Sequence, residues 1–304
     1  MELVTAVFNI VLVAFIGATM LAAGLGTRVA DLVAVLRRGS LLALVLMANL
    51  IVVPMLGWGV AWLFGLSTAA TIAMILVAAS PGAPFGAKVA MIQRGDVLTG
   101  STLQVLLATI GSVTFPVTAN LLIGWAGVGS SVALPVGDLV RTVAILQLVP
   151  FAVGLALRHW TSDTAGRWSS PAQRLSSVSF VAVLVLGLGS SWEQIVSLLG
   201  SRTLLAAGVF TVLAAVAGVL LASGPWVRRT TMGGIAPLRN AGPAFAGVAI
   251  AFGNDPEILA ALSGILLVGL VVCLPIAARL AATRSDDPLA APTPSSVAGH
   301  GSGS

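Results

Sequence analysis

Three of the fifteen lysines and arginines, Lys88, Arg141 and Arg239, stand inside long apolar stretches. Arg239 is the deepest. It lies eleven residues beyond Arg228, roughly 16 Å along a helix, and therefore near the middle of a ~30 Å hydrocarbon layer. A base at that depth is costly and marks a functional site by default. No acid stands close enough in sequence to neutralise it, because the ten carboxylates fall at the ends of apolar stretches, between them or in the tail. The competing reading is a structural arginine bonded to backbone carbonyls. Lys88 is six residues from Arg94, so its ammonium either snorkels to the interface or adds to the same charge. Arg141, one turn after Asp138, reads as a structural pair near a surface.

Both deep bases follow clusters that interrupt a helix. One is Ser80-Pro81-Gly82-Ala83-Pro84-Phe85-Gly86-Ala87-Lys88, and the other runs from Gly233-Gly234 through Ala236-Pro237 to Arg239-Asn240-Ala241-Gly242-Pro243. Proline removes a donor and glycine adds freedom, so two prolines with several glycines unwind a helix rather than bend it. Unwound backbone is tolerable in a bilayer only against protein or a wet cavity. A matched pair of broken spans points to a midplane transport site. The second half of each broken helix should aim a positive N-terminus at that site. Together with Arg239 and Lys88, these ends predict a cavity that favours an anion, with no carboxylate placed to hold a metal.

The elements that must position these groups are membrane spans. Of 304 residues, 58% are hydrophobic and 8% charged, against about 25% charged in soluble domains. Nine apolar stretches follow one another, at about Leu3–Gly26, Leu41–Phe64, Ala69–Ile92, Leu98–Gly124, Asp138–Leu157, Leu175–Gly189, Thr203–Leu221, Thr231–Phe252 and Ile258–Leu280. The connections alternate in charge: eleven basic residues collect on one side, and Arg202 alone on the other. The positive-inside rule then places the N-terminus outside and the C-terminus in the cytoplasm, in a plasma (inner) membrane. Trp58, Trp62, Trp125 and Trp192 fall near outer ends, and Trp160, Trp168 and Trp226 near inner ends, as an interfacial belt requires. The first stretch is too long, and Glu2 too acidic, for a cleaved signal peptide. The basic excess sits between spans and implies no nucleic-acid partner. Cys273 is the only cysteine, which excludes an internal disulfide.

The expected fold is an all-α polytopic membrane protein of nine transmembrane helices, two of them discontinuous. The two breaks run in opposite directions, which predicts inverted-topology repeats over about 1–125 and 137–281. Residues 1–281 form the transmembrane domain, and 282–304 a cytoplasmic tail disordered by its proline, glycine and serine content.

Five short segments carry a family resemblance: Met20-Leu21-Ala22-Ala23-Gly24-Leu25, Asn49-Leu50-Ile51-Val52-Val53-Pro54, Ser80-Pro81-Gly82, Arg94-Gly95-Asp96-Val97 and Arg239-Asn240-Ala241-Gly242. In this order, from Met20 to the last span, the chain resembles the bile acid:sodium symporter family. The resemblance implies core and panel domains, alternating access and two sodium sites at the crossing of the broken helices. The sodium ligands do not carry over. The family's Ser-Asn pair falls on Gly86-Ala87, its Ser and Thr on Gly100 and Gln104, its Glu on Ile235 and its Gln on Arg239, while Asn49 and Asn240 keep amides. Hard cations need oxygen ligands.

The expected function is therefore secondary transport of a small organic anion, with no cofactor, a doubtful sodium dependence, and fixed bases in place of sodium. The substrate-binding candidates are Arg239, Asn240, Lys88, Pro81, Gly82, Gly86, Pro237, Asn49 and Gln104. A non-transporting anion sensor on the same fold and a sodium-coupled symporter with rearranged ligands are the alternatives. An enzyme is disfavoured: His159 stands at a span end, His300 in the tail, and no acidic pair or intramembrane Ser–His dyad is present.

Overall fold

A computed structural model describes residues 2–83, 85–128, 135–190, 196 and 200–285. Among them every regular element is helical. The order is α1 (Glu2–Gly26), α2 (Val29–Leu36), α3 (Gly39–Met47), a π turn (Ala48–Val52), α4 (Val53–Leu63), α5 (Thr68–Ala79), α6 (Phe85–Ile92) and α7 (Val97–Ala126). After it come α8 (Val136–Trp160), α9 (Ser162–Ser190), α10 (Arg202–Leu220), α11 (Trp226–Ile235), α12 (Ala241–Ala251) and α13 (Pro256–Ser285). Trp192, Glu193 and residues 286–304 of the tail lie outside the described residues.

Six of these helices are long and apolar enough to cross a membrane: Ala6–Gly26, Gly39–Leu63, Val97–Ala126, Val136–Trp160, Arg202–Leu220 and Pro256–Arg284. The difference from nine has a local cause. Two of the apolar stretches are divided into α5/α6 and α11/α12, each piece too short to cross alone. Helix α9 starts at Ser162, thirteen residues before the expected Leu175, so its first half carries Asp163, Arg167 and Arg174. Arg141 and Asp138 are both exposed on α8, and no ion pair joins them.

The starts of the helices are set by polar caps. Ser67 accepts the amide of Ala70, Asp96 that of Thr99, Ser201 that of Thr203 and Asn240 that of Gly242. Each satisfies a backbone donor that the first turn cannot.

Helices α1, α8 and α9 pack as one group, and small residues allow it. A Cβ at Gly24 would fall 2.3 Å from the Phe151 oxygen, and one at Gly154 would fall 2.5 Å from the Leu21 oxygen. In the other group, α5 is buried from Ala70 to Ala79 among α4, α7 and α13. That helix is apolar on all sides, as a helix with no exposed face must be.

The ends of α6 and α7 are tied to α11. Arg228 donates to Asp96 at 2.7 Å, the Asp96 amide donates to Thr231 Oγ1 at 2.9 Å, and Gln93 Nε2 donates to the Thr231 carbonyl at 3.3 Å. Arg284, at the end of α13, donates to the Gln93 carbonyl and to Thr230 Oγ1. Burial disfavours the Asp96 charge, but the hydrogen bonds from Arg228 and Thr99 outweigh it and hold the carboxyl below the usual carboxylate range. A carboxyl with a lowered folded pKa stabilises the fold fully above its unfolded value of about 3.9 and loses that contribution as pH falls through the folded value. The melting temperature is therefore expected to drop below about pH 4 in the parent, and Asp96→Asn should flatten that part of the profile. Thermal unfolding in detergent across pH checks it.

Candidate functional site

The chain leaves helix at Ser80–Ala83 and again at Ala236–Asn240, and the two segments touch: the Asn240 amide donates to the Ser80 carbonyl at 2.9 Å. The sequence makes both partners available. The Ser80 carbonyl would bond residue 84 in a continuing helix, but Pro84 has no N–H. The Asn240 amide would bond Ala236, but α11 has already ended. Gly82 makes the turn at φ +77°, and a Cβ there would lie 2.1 Å from the Ala108 nitrogen, so the loop lies against bare backbone of α7. Pro81 packs on the same helix, where Gly111 leaves room: a Cβ at Gly111 would sit 2.7 Å from the proline ring.

The carbonyls released by these interruptions are gathered by side chains, chiefly Arg239. It is 4% exposed and donates Nη1 to Asn49 Oδ1 at 2.9 Å and to the Ala236 carbonyl at 3.3 Å. Its Nη2 donates to the Asn49 carbonyl at 3.1 Å and to the Ala78 carbonyl at 2.7 Å. Each backbone acceptor has a reason to be free. Ala78 and Ala236 lie at ends of α5 and α11. Asn49 lies in the π turn, where the Val53 amide bonds Ala48 instead, and the next residue in register is Pro54. Gln104 acts similarly, donating Nε2 to the Ile235 carbonyl at 3.2 Å. Gly86 lets it pass, since a Cβ at that position would lie 2.4 Å from the amide nitrogen.

The guanidinium is thus surrounded by four oxygens from three segments, and among the described residues no carboxylate bonds it. This is the geometry of the competing reading, an arginine bonded to backbone carbonyls, rather than of a charge presented bare to a wet pocket. The two terminal nitrogens are bonded, while Nε is buried without a hydrogen-bond partner. An oxygen cage is also what a hard cation takes.

A cavity of about 580 Å³ opens beside it. Pro237, Arg239, Asn240 and Gln104 line one wall, and Phe15, Thr19, Ser176 and Phe180 of α1 and α9 line the facing wall. Thr19 and Ser176 share a hydrogen bond of 2.6 Å across that wall. Met91, 55% exposed, lies at the rim. Met91 stands three residues before Arg94. The cavity is largely apolar, with polar groups on both walls: Gln104, Arg239 and Asn240 at the breaks, and Thr19, Gln173 and Ser176 opposite, a mixture suited to a small-molecule site.

Of the residues singled out by sequence, Arg239, Asn240, Pro237 and Gln104 come together on the cavity wall, and Asn49 backs Arg239 from behind. Pro81, Gly82 and Gly86 shape the backbone and the packing of α7. Helix α6 includes Lys88, whose side chain lies outside the described residues. The reading by charge passes over Gln147 of α8, which is 1% exposed and accepts from Asn240 Nδ2 at 3.3 Å, with Ser112 Oγ 3.4 Å from the same oxygen. The signal for it was an amide in an otherwise apolar stretch, which counts of charge ignore.

Residues 13–218 match the family described as the Sodium Bile acid symporter family. Over 148 residues the chain is 31% identical to a protein of Oryza sativa subsp. japonica described as "Probable sodium/metabolite cotransporter BASS3, chloroplastic". That match covers 48% of this chain and 33% of the relative, so it spans about a third of the relative's length. Both similarities are to transporters, not enzymes. With a family match over well more than half of its length, the chain belongs to the sodium bile acid symporter family.

Proposed function

We propose that this protein is a secondary transporter of a small organic anion that uses a fixed guanidinium where a coupling cation would otherwise sit. The observation that carries the reading is the four-oxygen cage around Arg239 on the wall of a cavity. A positive charge with no carboxylate, in a low-dielectric wall, favours an anion in the adjacent space. The N-terminus of α12, capped by Asn240 and facing the same space, adds a partial charge of the same sign. Lys88 is proposed to supply a second.

In this reading the chain crosses the membrane nine times, with α5/α6 and α11/α12 as the two discontinuous spans of an inverted repeat over about 1–125 and 137–281. The N-terminus is outside, and the end bearing Arg94 and Arg228 faces the cytoplasm of a plasma (inner) membrane. The cavity is then open inward. Helices α1, α8 and α9 form the panel, which moves against the remaining core during alternating access. Residues 282–304 form the cytoplasmic tail.

The resident charge makes sodium unnecessary. In proteoliposomes, the organic anion that most raises the protein's melting temperature should enter equally fast with sodium or potassium in the external buffer. A tenfold or greater requirement for sodium would refute the proposal, and binding without flux would assign the chain to sensing.

A further inference from the structure

Gln147 links the two helix groups at the edge of the cavity, and its carboxamide orientation is determined by its neighbours. Asn240 Oδ1 accepts the Gly242 amide at 3.2 Å as the N-cap of α12. That bond commits the Asn240 amide nitrogen to the other side, where it donates to Gln147. The Gln147 oxygen must therefore face Asn240; Ser112 Oγ lies 3.4 Å from it, but that hydroxyl gives its proton to the Ala108 carbonyl at 3.0 Å. Gln147 Nε2 is consequently turned away, and it is buried without a hydrogen-bond partner. A reversed carboxamide would set two donors against each other.

Gln147 belongs to α8, whereas Ser112 and Asn240 belong to α7 and to the second break. The Asn240–Gln147 hydrogen bond thus crosses between the groups. Asn240 is also a cavity-lining residue, so its donor is held by Gln147 in the arrangement whose cavity opens at Met91.

We infer that Gln147 is a positioning residue that holds the Asn240 carboxamide and thereby latches α8 to the second break while the cavity is open at this end. An anion reaching the N-terminus of α12 competes with Gln147 Oε1 for Asn240 Nδ2. Its arrival releases the link between the two groups. The inference rests on the proposed relative motion of those groups, but its test reads accessibility rather than transport.

The test uses the full chain in detergent with Cys273→Ala and Ser101→Cys, because Ser101 lines the cavity and Cys273 is the only native cysteine. The rate of labelling by a charged maleimide, without any anion, reports how often the cavity is open. Gln147→Met keeps the length and removes the acceptor. It should slow labelling by about fivefold, the population shift that loss of one ordinary hydrogen bond produces. Asn240→Ser keeps an N-cap oxygen and removes the donor to Gln147. It should slow labelling similarly, and it decides the matter if Gln147→Met does not fold. Gln147→Glu retains the acceptor and should label like the parent. Parental labelling in both Gln147→Met and Asn240→Ser, or a Gln147→Glu as slow as Gln147→Met, overturns the latch. Neither result bears on whether the protein transports an anion.

Discussion

Replacing Arg239 with glutamine is expected to lower anion uptake at limiting concentration by about 100-fold. A unit charge acting across about 6 Å at an effective dielectric of about 20 contributes about 2.8 kcal/mol, which corresponds to that factor. The same change leaves carbonyls of Asn49, Ala78 and Ala236 with fewer donors in a buried place. Glutamine is shorter and carries one amide group, so it cannot bridge three segments. Stability should fall by about 3 kcal/mol, since unsatisfied buried polar groups each cost about 1–3 kcal/mol. Lysine should recover uptake better than stability, because an ammonium restores the charge but not the planar fork that reaches four oxygens. Initial-rate uptake in proteoliposomes and thermal unfolding of the same preparations separate the two effects. Equal uptake by the glutamine and lysine variants would remove the charge from the account.

The largest expected loss of folded protein is at Gly82. Its backbone is left-handed at φ +77°, and a Cβ would lie 2.1 Å from the Ala108 nitrogen and 2.6 Å from the Leu107 carbonyl carbon. Neither is the tip of a flexible side chain, so the loop itself must move away from α7. That displaces Ser80, whose carbonyl holds Asn240, and Ala78, whose carbonyl holds Arg239. Gly82→Ala should cost more than about 4 kcal/mol, the range reached only by overpacking or strain at special backbone positions. Size-exclusion chromatography should show little monodisperse protein. Gly59→Ala serves as the control: it lies in α4 with nothing within 4 Å of the added carbon, so helix propensity should make it neutral or slightly stabilising.

Much of this architecture is legible in the order of residues. The alternation of connections rich and poor in basic residues predicts helices that cross a bilayer, and the helices α5 and α11 end where Ser80-Pro81-Gly82 and Ala236-Pro237 stand. Caps such as Asp96 and Asn240 are also visible locally, because capping acts over three residues. Two features are not. The lower part of α9 is polar, so nothing in its hydrophobic pattern separates a long helix from a loop followed by a short span. The surroundings of Arg239 depend on residues 190 and 161 positions away, Asn49 and Ala78. The depth of the arginine follows from counting residues, but its partners follow only from which carbonyls the folded chain leaves unbonded. A charge that sequence presents as uncompensated is, in the fold, held by backbone oxygen.

Gln147 shows the same limit in a milder form. Its amide stands out against the apolar α8, yet its significance comes from Asn240, ninety-three residues later. The identity of that partner depends on how the two helix groups pack, which propensities do not encode.

Thermal unfolding of the purified protein against a panel of organic anions, in sodium chloride and in potassium chloride, tests the resident-cation account most directly. The account predicts that at least one anion raises the melting temperature equally in both salts, and that Arg239→Gln abolishes the rise. Stabilisation that appears only in sodium, or that persists in Arg239→Gln, would contradict it.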